Sequence, residues 1–270
     1  MEIHFFDRFT IELLFLLTVA TMLIMLEIGY RFGIAKQTKK AKAQTAQVRA
    51  LMGATLGLLA FMLAFTFATA QDHFENRIQL QVDEALVQKM AFMQSDRFDE
   101  PVRSQARELL MEHVEGRVAL RRWVTEKNRT EIFSVLKRAE EIQLALWSLG
   151  KQQGDLPEGS ITNSQAAGDF MPSVLTMMEL QTRRVEAALV NRIPLVIWLT
   201  LYFTAVMSMI VVGYQAGLTE KRSPIATFSL ALAFSAVMML IMDLDRPLQS
   251  MFEINVTVMD QLAAFMRANW

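Results

Sequence analysis

The sequence predicts an all-α, multi-pass membrane protein with four transmembrane helices and a helical extramembrane domain. Hydrophobic residues make up 53% of the 270 residues and the mean hydropathy is +0.26, although 20% of the residues are charged. The apolar residues form four long runs, each able to cross the roughly 30 Å hydrocarbon core of a bilayer. Most of the charge lies in the stretch 71–192, between the second run and the third. This separation of apolar runs from a charged stretch predicts membrane helices with an extramembrane domain between the second and the third.

The four apolar runs predict membrane helices over about 9–30, 50–70, 193–218 and 225–242. In the first run, Glu12 and Glu27 lie near the two ends, where an ionised group costs least. Pro194 opens the third run, and Ser223-Pro224 precedes the fourth. Both arrangements are typical of the first turn of a helix.

The stretch 71–192 is helical in character. Neither Gly nor Pro occurs between Leu58 and Glu100, which predicts that the second membrane helix continues into solvent to about Ser95. Within the breaker-rich segment 154–172 we expect a loop. Thr257 and Asp260, in the tail 243–270, form a capping-box pattern that predicts a short final helix. Further helices are expected over 101–127, 130–149 and 173–191, the last running almost directly into the third membrane helix.

Composition argues against several classes of function. A chain without cysteine has no disulfide, no thiolate metal ligand and no cysteine nucleophile. The histidines, His4, His73 and His113, are too scattered in sequence for a typical zinc site. A net charge of −1 does not fit a nucleic-acid-binding protein, whose surface is strongly basic. No Walker loop, nucleophile elbow or paired-carboxylate motif occurs, so we expect no enzyme activity, no metal and no cofactor.

Two pairs of glycines are spaced four residues apart within the predicted membrane helices. Gly53 and Gly57 lie in the second helix, and Gly213 and Gly217 lie in the third. This spacing lets two helix backbones approach closely in a bilayer, where apolar surface alone does not drive association. The pairs can pack helices within one chain or between subunits, and the sequence leaves both alternatives open.

A stripe of residues four apart, Gly57, Phe61, Phe65 and Thr69, follows the second membrane helix. At this spacing the four residues share one side of the helix. Spacing alone favours a stripe that faces lipid or the protein core. The functional alternative is a pore constriction, because rings of phenylalanine can gate a channel by dewetting and present positive ring edges to an anion.

The segment LLAFMLAFTFATAQDHFENR resembles the second membrane helix of the bestrophins, and it is closer still to the bacterial domain usually described as bestrophin-like. Further matches are Phe74-Glu75-Asn76-Arg77, Asp83-Glu84-Ala85 and Leu244-Asp245-Arg246-Pro247. The resemblance implies that 1–270 is a single bestrophin-like unit and that the protein is a homopentameric ion channel conducting small ions, mostly anions. The second membrane helix would line the pore, with Gly57, Phe61 and Phe65 at the neck.

The sequence departs from the bestrophin pattern at three positions. Gly57 replaces a bulky neck residue, and His73 stands where an arginine is usual. Leu248 follows Pro247, where a phenylalanine is usual. No acidic cluster corresponds to the calcium clasp of animal bestrophins, so the resemblance does not imply gating by calcium.

Charged residues follow both the predicted pore helix and the last membrane helix. Candidates for a pore mouth are Asp72, His73, Glu75 and Arg77 after the second helix, and Asp243, Asp245 and Arg246 at the end of the fourth. Carboxylates at the C-terminal end of a helix oppose its dipole and need a partner. For the second group, a structural ion pair within or between subunits is the simpler alternative to a charged ring.

Charge asymmetry predicts an orientation opposite to that of bestrophins. The loop 31–49 holds six basic residues and no acidic one. A short loop of this kind stays in the cytoplasm under the positive-inside rule. In a bacterial inner membrane the region 71–192 would then lie outside, whereas bestrophins keep their extramembrane domain in the cytosol. We favour the orientation given by the charges.

Two functions from different classes follow from these observations. The first is a homo-oligomeric ion channel lined by the second membrane helix. The alternative is a non-conducting membrane sensor or scaffold whose long helices organise extramembrane contacts. A secondary transporter is disfavoured, because the spans carry no charge near the membrane midplane and no paired helix interruptions.

Overall fold

The computed structural model describes residues 10–36, 45–126, 129–154, 161–189, 191–219, 223–246 and 257–270. The chain is helical in these ranges and has no strand there, so the predicted all-α class is confirmed. It divides into two compact units. The first unit is Met1–Phe74 with Arg192–Arg246, and the second is Glu75–Asn191 with Pro247–Trp270. The second unit is therefore close to the predicted extramembrane region together with the C-terminal tail.

Eight α-helices lie in the described ranges: α1 Ile11–Ala35, α2 Thr45–Gln94, α3 Val102–Thr125, α4 Arg129–Gly154, α5 Ile161–Leu189, α6 Leu195–Thr219, α7 Pro224–Asp245 and α8 Thr257–Ala268. A short 3-10 turn, Ser95–Arg97, follows α2. Four of the helices, α1, α2, α6 and α7, are long and apolar enough to cross a membrane. They correspond to the four predicted spans.

Several helix starts agree with the sequence patterns. The Ser223 hydroxyl caps α7 by accepting a hydrogen bond from the Ala226 N–H at 3.4 Å, and Pro224 lies in the first turn. The Pro194 carbonyl just before α6 accepts a hydrogen bond from the Ile197 N–H at 2.9 Å. The final helix, α8, begins at Thr257.

Glycines hold α1 and α6 of the first unit together at very short range. Gly29 and Gly33 of α1 face Gly213 and Gly217 of α6. A Cβ atom added at Gly217 would lie 2.9 Å from the Gly33 Cα, and one added at Gly213 would overlap the Leu26 carbonyl oxygen. The two backbones are therefore in direct contact, which a side chain at these positions would prevent.

The second unit has a separate apolar core, built by the C-terminal part of α2 with α3, α4, α5 and α8. Its fully buried side chains include Phe92, Phe98, Leu110, Leu146 and Phe170. Phe98 and Phe170 meet edge to face, with ring centroids 5.2 Å apart. A helical layer with its own core is consistent with an extramembrane domain.

The predicted loop 154–172 is wrong over most of its length. The helix α5 begins at Ile161 and passes through Pro172, while 155–160 lies outside the described residues. Proline inside a helix costs about 3 kcal/mol, because it removes a hydrogen bond and crowds the preceding turn. Here Phe170 and Val174, on either side of Pro172, are fully buried in the core. We attribute the continuous helix to this packing, which outweighs the effect of proline.

A second difference concerns the junction between α5 and α6, which the sequence predicts to be nearly continuous. The first helix ends at Leu189 and the next begins at Leu195, with non-helical backbone from Asn191 to Pro194. Proline has no N–H and disfavours helical geometry in the residue before it, here Ile193. The sequence at this point therefore favours two separate helices.

Candidate functional site

In the first unit, α2 packs against its neighbours with one side only. Leu59 and Leu63 are buried on that side. The exposed residues of the other side, which we call the open face of α2, are Gly53, Ala54, Gly57, Leu58, Ala60, Phe61, Ala64, Phe65 and Ala68. Together they occupy roughly half of the helix circumference. None of the described residues of this chain covers the open face.

The predicted stripe of Gly57, Phe61 and Phe65 lies on the open face. The Phe61 side chain is 68% exposed and the Phe65 side chain 64%. A Cβ atom added at Gly53 or Gly57 would have no other group within 4 Å. The described residues thus give these phenylalanines no place in the core of a single chain, and lipid, a pore or another subunit remains as their environment.

The composition of the open face differs from that of the exposed sides of α1 and α6. Those helices expose mainly bulky apolar side chains, among them Leu13, Leu16, Ile24, Val196, Leu199 and Phe203. On α2, six of the nine open-face residues are Gly or Ala: Gly53, Ala54, Gly57, Ala60, Ala64 and Ala68. Small residues allow the backbone of another helix to come close, whereas lipid makes no such demand.

Beyond Phe65 the exposed side of α2 becomes polar. Thr69 is half-buried, and its hydroxyl donates a hydrogen bond to the Phe65 carbonyl at 3.1 Å. Gln71 and Asp72 follow and are exposed. Such a back-bond satisfies the threonine hydroxyl within its own helix. The apolar open face thus ends at a polar rim within the first unit.

The other predicted pore-mouth residues of α2 have different environments. His73, in the first unit, is half-buried, and its Nδ1 makes no hydrogen bond among the described residues. Glu75 and Arg77 belong to the second unit, where Glu75 is exposed and Arg77 is buried. Burial of the Arg77 guanidinium does not fit a charge that is presented to passing ions.

Asp243, Asp245 and Arg246, at the end of α7, are all buried within the chain. An Asp245 carboxylate oxygen accepts a hydrogen bond from the Ile193 N–H at 3.0 Å. Because Ile193 lies in the non-helical segment before α6, its N–H has no helical partner and needs this acceptor. The geometry favours the structural alternative for Asp245 over a charged ring, and Pro247 and Leu248 lie outside the described residues.

These observations define the class of the protein. Its four membrane-crossing helices and its helical second unit make it a multi-pass, all-α membrane protein. A family model for the Bestrophin-like domain matches residues 15–259. The chain belongs to this family, which confirms the predicted resemblance, and membership points to a channel-type membrane protein rather than an enzyme. No curated protein and no solved structure matches the chain.

Proposed function

We propose that this protein forms a homo-oligomeric ion channel, most simply a pentamer, in a bacterial inner membrane. The open faces of α2 from all subunits would surround a central pore. The observation that carries the proposal is the open face itself, which is apolar, rich in glycine and alanine, and left uncovered by the part of its own chain that the structure describes. Copies of the same chain are the natural partners, because closed rings of identical subunits bury identical surfaces.

The arrangement of side chains on the open face supports this assembly. On a helical projection, the Gly and Ala residues lie mostly on one edge, while Phe61 and Phe65 lie side by side towards the other. The small edge can receive a neighbouring helix at short distance. The phenylalanines would then point towards the axis and form two stacked apolar constrictions, which together make the neck of the pore.

We propose small anions as the permeating ions. The apolar part of the open face carries no charged residue, so no acidic ring opposes an anion there. Phenylalanine edges carry partial positive charge and can face an anion that has lost part of its hydration shell. Thr69, at the polar end of the neck, would be the first hydroxyl that such an ion meets. Asp72 is the first charged residue beyond it.

Purified protein tests the proposal directly. We expect closed rings in detergent with α2 innermost, and chloride flux when the protein is reconstituted in liposomes of neutral lipid. Protein-free liposomes prepared in the same way provide the baseline. A monomer or a lateral dimer that gives no flux above this baseline would refute the channel.

The non-conducting alternative is also supported by one observation. The single uninterrupted helix α2 contains residues of both compact units. A helix shared by two units suits a sensor or scaffold that couples a membrane segment to an extramembrane domain. Absence of flux from well-folded protein, in rings or not, would favour this function.

Orientation gives an independent prediction. Because of the six basic residues of 31–49, we expect Lys36 to lie in the cytoplasm and Gln152, exposed on α4, to lie outside. The chain has no cysteine, so single Lys36→Cys and Gln152→Cys variants can be labelled in intact cells with a membrane-impermeant maleimide. Only Gln152→Cys should react, and both should react after permeabilisation. Labelling of Lys36→Cys alone would establish the bestrophin orientation instead.

A further inference from the structure

The second unit contains a group of polar side chains inside its helical bundle. We call this group the buried polar cluster, and its members come from four helices: Glu84 and Gln88 of α2, His113 and Arg117 of α3, Gln143 of α4 and Arg184 of α5. Polar groups in such a position are normally paired with one another or with a bound species. Atoms of the cluster that lack a partner therefore indicate what kind of species would bind there.

The cluster carries more positive than negative charge. Glu84 is buried, and its carboxylate lies 3.2 Å from the Arg117 Nε and accepts a hydrogen bond from the Arg184 guanidinium. Burial, the largest influence, lowers the pKa of His113, so its ring is neutral at neutral pH. Two guanidinium groups thus face one carboxylate. An excess charge that is largely withdrawn from water is costly unless a counter-ion accompanies it.

The register of α2 against α3 brings two incompletely bonded side chains together. The helices are antiparallel neighbours, because Glu84 contacts Arg117 and the Arg107 guanidinium lies over the Phe92 ring at 4.7 Å. Gln88 lies one turn after Glu84 on α2, and His113 lies one turn before Arg117 on α3. Because the helices are antiparallel, Gln88 and His113 lie at the same height along them. We infer from this register that the two side chains are neighbours.

Both of these side chains have polar atoms without partners among the described residues. Gln88 is 0% exposed, and neither its amide nitrogen nor its amide oxygen makes a hydrogen bond. His113 is 1% exposed, and its Nδ1 makes none. The Arg117 Nε, although close to Glu84, also makes no well-directed hydrogen bond. Leaving polar groups unbonded at this depth is unfavourable, which indicates that another species bonds them.

The neighbours of His113 indicate which of these atoms are donors. The Gln143 amide nitrogen donates to the Gln181 amide oxygen at 2.7 Å and lies 3.3 Å from the His113 Nε2. We place the ring proton of the neutral imidazole on Nδ1 as part of the proposal, because the Gln143 amide nitrogen, a donor, lies beside Nε2. In the other tautomer Nε2 would donate to Gln181 and Nδ1 would be an acceptor. With the proton on Nδ1, the unbonded donors are the N–H groups of Gln88, His113 and Arg117, against one unbonded acceptor.

We propose that the buried polar cluster binds one small monovalent anion, of the size of chloride or bromide, between Gln88, His113 and Arg117. Three donors would bond the anion, and its charge would neutralise the excess guanidinium. A water molecule could bond the same groups but would leave that charge uncompensated. The anion would link α2 and α3, and, through Glu84 and Arg184, α5. This site lies in the second unit and does not depend on ion conduction.

Thermal unfolding of the full-length protein in detergent tests the proposal, with bromide replacing gluconate at constant ionic strength and pH 7.5. A ligand that binds the folded state raises Tm in a saturable manner. We expect this rise in the natural protein, and an apparent Kd at least about tenfold weaker in Gln88→Leu, because a hydrogen bond to a charged partner is lost. The matched control is Gln105→Leu, on the exposed side of α3, which should bind bromide normally.

Anomalous scattering from bromide in crystals of the natural protein locates the ion without any variant, and it decides the matter if Gln88→Leu does not fold. A peak between Gln88 and His113 is expected. Bromide only at other places, no saturable rise in Tm, or an equal rise in Gln88→Leu would overturn the proposal. Because none of these readouts measures flux, a failed anion site and a failed channel are distinguishable.

Discussion

Replacing Phe61 and Phe65 together by alanine is expected to raise chloride flux through reconstituted protein by about threefold or more, because both apolar constrictions of the pore would be widened and hydrated. Stability should change little. Both rings are more than 60% exposed in the single chain, whereas a fully packed phenylalanine costs about 3–5 kcal/mol when it is replaced by alanine. Flux into liposomes and thermal unfolding in detergent measure the two effects separately.

Phe203 provides a matched control for this double variant. It is 63% exposed, but it lies on α6 among bulky apolar side chains, where we expect lipid contact. Phe203→Ala should therefore leave flux unchanged. A similar increase from Phe203→Ala would show that the effect is not specific to the neck. A double variant that fails to assemble and gives no added flux would assign Phe61 and Phe65 to packing between subunits instead.

Gly213→Ala is expected to destabilise the chain by about 3 kcal/mol, the upper end of the usual range for overpacking. The added methyl group would meet the backbone of α1 at Leu26, and backbone cannot move aside as a flexible side chain can. Gly168→Ala, on α5 and outside the proposed subunit interface, is the matched control, because the same methyl group would enter open space there. Thermal unfolding of the two variants in the same detergent gives the comparison, and equal stability would contradict the close contact of α1 and α6.

Substitution of Gly57 distinguishes packing within the chain from packing between chains. Gly57→Leu should leave the fold of the single chain intact but lower the oligomer mass, since a large side chain would keep a neighbouring α2 at a distance. Gly53→Leu should act in the same way. Oligomer mass measured by light scattering and unchanged in both variants would remove these glycines from the subunit interface.

Local signals explain why the membrane helices could be predicted from the sequence. A long apolar run without charge indicates a membrane helix by itself. The absence of Gly and Pro after Leu58 was enough to extend α2 to Gln94. The error at Pro172 has the opposite origin. The sequence near Pro172 is locally rich in breakers, and the helix there depends on Phe170 meeting Phe98, a residue 72 positions away that no local pattern connects to it.

The site could be predicted only in part for the same reason. Spacing placed Gly57, Phe61 and Phe65 on one side of a helix, but which side stays uncovered depends on packing by the other helices. Gly29 and Gly33 carry the same four-residue spacing as Gly213 and Gly217, and this signal could have paired α1 with α6. The buried polar cluster had no such signal, because four separate helices contribute to it.

The continuity of α2 restricts the insertions and deletions that this helix can accept. Its 50 residues form one helix, in which each residue is rotated by about 100° from the one before it. One residue inserted after Gly57, within the first unit, would rotate Phe61 by about 100° about the helix axis relative to Gly53, whereas seven inserted residues would leave an offset of only about 20°. Tolerated insertions and deletions are therefore restricted to nearly whole turns, so the angular phase of the helix constrains the length of this segment as well as its composition.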